Sequence, residues 1–144
     1  MAAADDPSAP GPQGGGQAAA RLFSEQSQLD FDIAFYDQVL ARQPDYVDVL
    51  RCQAELLTRK GLHERAVVLD RRLAALLSDD CRVRYNLACS LAMVGARDEA
   101  IAALRAAFEL GYRDFEHLEA DPDLEGLRHS PAFRALVREY KKRG

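Results

Sequence analysis

A group of carboxylates between residues 114 and 125 is the part of this chain where chemistry is easiest to imagine. Its members are Asp114, Glu116, Glu119, Asp121, Asp123 and Glu125. Paired carboxylates can act as a general acid and base, and carboxylate oxygens are the usual ligands of calcium. The spacing lacks the glycine-bearing loop of a calcium-binding hand. Asp121 precedes Pro122 as a helix N-cap does, so the electrostatics of helix ends explains these acids more simply.

Histidine and cysteine side chains are dispersed along the sequence and do not suggest a second site. They are His63, His117 and His129, and Cys52, Cys81 and Cys89. No two cysteines have the CxxC spacing of a zinc or redox site, and an odd number argues against a disulfide framework. The chain also lacks a phosphate-binding glycine loop, an HExxH motif and a nucleophile elbow. We therefore expect a protein that is not an enzyme, with no catalytic residue, no metal site and no cofactor.

Charge and hydropathy argue against two classes of partner. The 144 residues carry a net charge of −4, which is unlike the basic surplus of a nucleic-acid-binding protein. The basic residues near the C-terminus, Arg138 to Arg143, fit a cationic last helical turn. No segment approaches the ~20 apolar residues of a membrane-spanning helix, and acidic residues stand where a secretory signal is basic. We expect a cytoplasmic protein without a nucleic-acid or membrane partner.

Residues 47–80 and 81–114 are two copies of one pattern, offset by 34 positions. The matching pairs are Ala54 and Ala88, Leu57 and Leu91, Gly61 and Gly95, Ala66 and Ala100, Val67 and Ile101, Arg71 and Arg105, and Leu76 and Leu110. A repeat of this length is typical of a stack in which each unit buries its apolar face against the next. The same offset leads back to Ala20, Phe23, Ile33 and Val39. Residues 17–46 are therefore predicted to be a first unit with a shortened leading helix.

Each unit is predicted to be a pair of helices, with glycine or proline where a helix ends. Gly61, Gly95 and Gly111 follow apolar stripes of helical spacing, and Pro44 ends the helix predicted from Leu29 to Gln43. Residues 1–16 are rich in Ala, Pro and Gly and are predicted to be a disordered tail. The repeat fails after 114, so residues 115–144 are predicted to be an irregular cap. The cap contains a short helix at 114–119, a helical turn at 122–128 and a last helix from Pro131 to about Lys142.

This arrangement resembles the tetratricopeptide repeat (TPR) family. The resemblance is clearest at Tyr85-Asn86-Leu87-Ala88, Leu91, Gly95, Asp98-Glu99-Ala100-Ile101, Leu104 and Ala107. The copy at 47–80 departs from the family pattern, with Gln53 where the family prefers Leu and Asp70 where it prefers an aromatic residue. Residues 121–136 resemble the ending of some bacterial TPR proteins. The resemblance covers about residues 17–140 and implies an all-α, right-handed α-solenoid of about three helical hairpins with an irregular C-terminal cap.

The resemblance also implies where a partner binds. In this family the first helix of each pair lines a concave groove, which here would be lined by Arg51, Cys52, Glu55, Arg59, Arg82, Tyr85, Asn86, Cys89 and Met93. Arg, aromatic and Met side chains are enriched at binding hot spots, although an ordinary solvated face or a strip covered by the cap has the same pattern. The expected function is a non-catalytic scaffold or adaptor that binds a peptide or helix of another protein. The alternatives are a small TPR chaperone for a secreted or assembling substrate and a regulatory subunit of an enzyme complex.

Overall fold

The computed structural model describes residues 15–144, and its regular structure is helical throughout that range. The helices are α1 (Gly15–Arg42), α2 (Val47–Lys60), α3 (His63–Leu76), α4 (Cys81–Met93), α5 (Arg97–Glu109), α6 (Phe115–Ala120), a 3₁₀ helix (Pro122–Leu127) and α7 (Pro131–Arg143). The expected all-α class is thus confirmed for the described residues. Most of the tail predicted at 1–16 lies outside them, and its last two positions, Gly15 and Gly16, belong to α1.

Helices α2 to α5 form two hairpins, and each helix packs against its neighbours in the chain. Gly61 and Gly95 connect the two helices of each hairpin with φ angles of 83° and 81°. This left-handed backbone conformation is open to glycine at little steric cost, which explains why both units have glycine there. The amide of Leu62 donates to the carbonyl of Leu57 at 2.8 Å, so the end of α2 is closed by a hydrogen bond.

Small residues lie where the helices of each hairpin are closest. All of the alanines predicted for these crossings, Ala54, Ala66, Ala88 and Ala100, are buried. A continuous core extends from Ala88 and Ala100 through Leu104 and Phe108 into the cap, where it includes Leu124 and Leu136. Ala66 belongs to a smaller cluster with Leu29, Ile33 and Leu57. The cap therefore completes the core of the last hairpin instead of forming a separate layer.

The three elements predicted for the cap are confirmed, with small shifts of their ends. The short helix is Phe115–Ala120, the helical turn is the 3₁₀ helix, and α7 starts at Pro131 as expected. Asp121 and Ser130 are N-caps, because their side chains accept hydrogen bonds from the amides of Asp123 and Phe133. The 3₁₀ helix packs against α4, and α7 packs against α5.

The prediction for the first unit is wrong in one respect. The sequence predicts a shortened leading helix followed by a separate helix from Leu29, but α1 is a single helix of 28 residues that spans both. The position equivalent to Gly61 and Gly95 is Ser27. A serine side chain makes the left-handed turn conformation unfavourable, so the helix continues where the other units turn. The first unit is consequently one continuous helix and not a hairpin.

Candidate functional site

A cavity of about 650 Å³ lies between α2, α4 and the start of the cap. Six of the nine predicted groove residues line it: Arg51, Glu55, Arg59, Tyr85, Asn86 and Cys89. The cap contributes His117, Asp121 and Asp123, and α3 contributes Asp70. The acids at 121 and 123 thus lie in the same cavity as the predicted groove residues, although the sequence had suggested only a role at a helix end.

The other three predicted groove residues lie elsewhere. Cys52 is exposed on α2 but does not line the cavity. Arg82 lies in the first turn of α4 and lines a depression at the connection between α3 and α4. Met93 lies in the last turn of α4, beside the start of α3. Arg82 and Met93 each lie too near an end of α4 to face the centre of the groove.

Tyr85 and Cys89 form the covered floor of the cavity. Tyr85 is only 4% exposed, its ring is stacked on Tyr112 with 4.4 Å between centroids, and its hydroxyl donates to Asp121 Oδ2 at 2.7 Å. The Cys89 thiol lies 3.6 Å from the same oxygen. The expectation that these two residues contact a partner is therefore corrected, because the cap covers them and uses their polar groups itself.

The carboxylate of Asp121 is the centre of this polar contact. Besides Tyr85 and Cys89, it accepts the amide of Asp123 at 3.0 Å, and His117 Nε2 lies 3.4 Å from its Oδ2. Burial, together with the nearby negative charge of Asp121, raises the pKa of the Tyr85 hydroxyl and of the Cys89 thiol well above their usual ranges. The thiol is therefore protonated at neutral pH, which argues against a nucleophilic cysteine at this position.

Cys89, Asp121 and Asp123 are also near enough to one another to share a metal ion. One ligand atom from each lies within 4.8 Å of the others. Burial and the charge of Asp121 raise the pKa of the Asp123 carboxyl, as expected for two acids side by side. Both oxygens of Asp121 already accept hydrogen bonds from protein donors. These contacts give the cluster a structural role, which is to hold the cap against α4.

A second buried acid, Asp70, lines the cavity from α3. Its Oδ2 accepts a hydrogen bond from the Ser90 hydroxyl on α4 at 2.6 Å. Desolvation by burial raises its pKa to about 6 from the usual 3.8, and the bond from Ser90 offsets only part of that effect. The pair of Asp70 and Ser90 was not predicted from the sequence. The departure at Asp70, where the family prefers an aromatic residue, was a sequence signal that could have indicated a buried polar contact.

The accessible part of the cavity has walls of opposite charge. Arg51 and Arg59 are exposed on α2, and the half-buried Asp123 of the cap lies on the other side, whereas Asp121 is buried. Arg51 makes an exposed ion pair with Asp80 at 3.3 Å, whereas Arg59 makes no ion pair with any residue from 15 to 144. Glu55 and Asn86 add further exposed polar groups. The cavity can therefore form both charged and neutral hydrogen bonds with a ligand.

None of the described helices is both long enough and apolar enough to cross a membrane. No known family model matches the sequence. A stretch of 56 residues, 39% of this chain, is 38% identical to a part of a chloroplastic protein of Arabidopsis thaliana. The matched stretch spans 17% of that relative, so the similarity is to one segment of a longer protein.

Proposed function

We propose that this protein is a non-catalytic scaffold of the TPR type, a right-handed stack of helical hairpins that binds a segment of another protein in the groove beside α2. The observation that carries the proposal is the accessible polar wall of the cavity, formed by Arg51, Glu55, Arg59 and Asn86. Successive hairpins with alanines at their crossings and a repeat of 34 residues support the TPR assignment.

The shape of the cavity favours a short extended segment. Its volume of about 650 Å³ falls within the common range for ligand sites. The cap closes the groove over Tyr85 and Cys89, which shortens the open part. A long helix with its side chains is about 10 Å wide and needs an uninterrupted groove. An extended segment of a few residues requires less length and can bond to both walls.

The charges of the two walls suggest the chemistry of that segment. Its acidic side chains would face Arg51 and Arg59, and its basic side chains would face Asp123. Complementary charges of this kind set the orientation of a bound segment and increase the association rate. Neutral polar groups of the segment would bond to Asn86.

Charge reversal on α2 tests this proposal. The double variant Arg51→Glu/Arg59→Glu should lose most of the partner that co-purifies with the wild type, because its acidic groups would repel the segment. Arg138→Glu, an exposed arginine on α7, is the matched control and should keep the partner. Equal recovery of the same partner with all three proteins would exclude the groove as its binding site.

The compartment we infer is the cytoplasm. Cys52, Cys81 and Cys89 are free thiols, and free cysteines are typical of proteins in a reducing compartment. The identity of the partner that co-purifies would separate an adaptor from the two alternatives, a chaperone and a regulatory subunit.

A further inference from the structure

Asp70 is a buried acid, and one oxygen of its side chain has no partner. The residue is only 6% exposed, and its Oδ2 accepts the hydrogen bond from the Ser90 hydroxyl. Its Oδ1 makes no hydrogen bond or ion pair with any residue from 15 to 144, and neighbouring atoms do not enclose it completely. Most buried polar atoms in proteins are hydrogen-bonded. Because Asp70 lines the cavity, its Oδ1 is available to a group that enters there.

The repeat shows that the fold does not require an acid at this position. With the offset of 34 residues, Asp70 corresponds to Leu104, which is fully buried in the core of the next hairpin. Ser90 corresponds in the same way to Leu56. An apolar pair would avoid the free-energy cost of removing a carboxylate from water. The polar pair is therefore explained better by a group that it binds than by the packing of α3 on α4.

No cationic side chain of the described residues lies near enough to Asp70 to compensate its charge. Burial raises the pKa of its carboxyl to about 6, and the group that opposes this effect is the Ser90 hydroxyl. At neutral pH most molecules consequently carry a negative charge on the α3 side of the cavity. The two arginines of the cavity are directed elsewhere, since Arg51 pairs with Asp80 and Arg59 is exposed.

The composition of the cavity favours a cation with an apolar stem. Four carboxylates and two arginines line it, so negative charge is in excess when His117 is neutral; the six residues are Glu55, Asp70, Asp121, Asp123, Arg51 and Arg59. Leu73 and Val83 add apolar surface to the same cavity. Lysine and arginine side chains combine an aliphatic stem with a positive charge at its end, and they bury the stem readily.

We propose that one basic side chain of the bound segment, lysine or arginine, extends into the cavity and donates a hydrogen bond to Oδ1 of Asp70. This inference rests on the proposed function, because the cation belongs to the segment that the groove holds. The stem would contact Leu73 and Val83, and the charged end would meet Asp70 where little water weakens the attraction. The acidic side chains of the segment would still face Arg51 and Arg59 at the opening.

Peptides of defined sequence test this subsite. The probes are acetyl-Gly-Glu-X-Glu-Gly-amide with lysine, arginine or norleucine at X, and norleucine has an apolar stem without a charge. Calorimetry near neutral pH should show that the wild type binds the lysine or the arginine peptide about 10-fold or more tightly than the norleucine peptide. Asp70→Asn should remove this preference but still fold, because its amide oxygen can accept the bond from Ser90. Asp79→Asn, an exposed acid outside the cavity, is the control and should keep the preference.

The pH dependence of the preference is a second measurement. The cation binds the ionised carboxyl of Asp70, so the preference for the basic peptide should decrease when the pH is lowered from neutral to about 5. His117 and Asp123 also line the cavity, and for that reason Asp70→Asn is measured at both pH values. The ratio of the two affinities should not change with pH in that variant.

The subsite and the groove can fail separately in these experiments. Equal binding of all three peptides by the wild type would overturn the subsite, and so would a preference for the basic peptides that Asp70→Asn retains. Wild-type protein that binds none of the peptides would also overturn it. Co-purification with Arg51→Glu/Arg59→Glu then decides the role of the groove independently, because that experiment uses the cellular partner and leaves Asp70 unchanged.

Discussion

The side chain of Asp121 holds the cap in place. The residue lies where α6 ends and the 3₁₀ helix begins. Its side chain accepts the amide of Asp123 and the hydroxyl of Tyr85, 36 residues earlier in the sequence. The N-cap part of this role follows from the Asp-Pro pair, and the sequence predicted it. The bond to Tyr85 depends on how the cap folds over α4, and local sequence patterns contain no information on that contact.

Removal of the Tyr85 hydroxyl should destabilise the protein. Tyr85→Phe keeps the stacking on Tyr112 but removes the hydroxyl donor from Oδ2 of the buried Asp121 carboxylate, which costs about 1–3 kcal/mol of unfolding free energy. Urea denaturation measures this change. Tyr46→Phe, at an exposed tyrosine, is the control and should have almost no effect. Equal stability of Tyr85→Phe and the wild type would mean that the bond to Asp121 does not hold the cap.

Asp70 should make stability depend on pH in a narrow range. Its pKa is about 6 in the folded protein against the usual 3.8, so the folded state binds more protons between those values. Stability therefore falls as the pH rises from about 4 to 6, and the loss is complete at neutral pH. Asp70→Asn removes this effect and should stabilise the protein at pH 7 by up to about 3 kcal/mol, because the neutral amide still accepts the bond from Ser90.

The measurement is urea denaturation of Asp70→Asn and of the wild type at a series of pH values from 4 to 7. Asp79→Asn, an exposed acid between α3 and α4, should follow the wild-type curve. Parallel curves for Asp70→Asn and the wild type would show that Asp70 is not protonated in the folded state across this range.

Helices α2 to α5 could be predicted because their apolar stripes, their buried alanines and their glycine ends all repeat with one period. The continuous α1 was missed because the same period was extended to a unit in which Ser27 replaces the turn glycine. The buried polar residues Gln53 and Asp70 also escaped prediction. The side-chain amide of Gln53 bonds to the Ile33 carbonyl and to Asp37, both on α1, and such partners become neighbours only after the helices pack.

The helix crossings leave no space for a larger side chain. Ala88 is fully buried where α4 meets α5, so Ala88→Leu should overpack the crossing and lower the unfolding free energy by about 1–3 kcal/mol. Thermal unfolding measures the effect. Ala75→Leu, at an exposed position of α3, introduces the same side chain and should leave the midpoint almost unchanged. An unchanged midpoint for Ala88→Leu would contradict the register of the two hairpins.

At the scale of the whole molecule, the stack and the cap together define the binding surface. The sequence placed six of the nine predicted residues around the cavity because the helical period fixes which side of α2 and α4 they occupy. It did not place the cap over Tyr85 and Cys89, because that depends on contacts between segments more than 30 residues apart. The accessible surface is therefore reduced to the wall formed by Arg51, Glu55, Arg59 and Asn86 and to Asp123 on the facing side.

Site-specific photo-crosslinking tests the binding groove most directly. A photoreactive amino acid at Asn86, on the wall of the groove, should crosslink to a partner protein in the native cell. The same amino acid at Val68, exposed on α3 and outside the cavity, should give no crosslink to that partner. Crosslinks to the partner from Val68 and none from Asn86 would contradict a groove that binds another polypeptide.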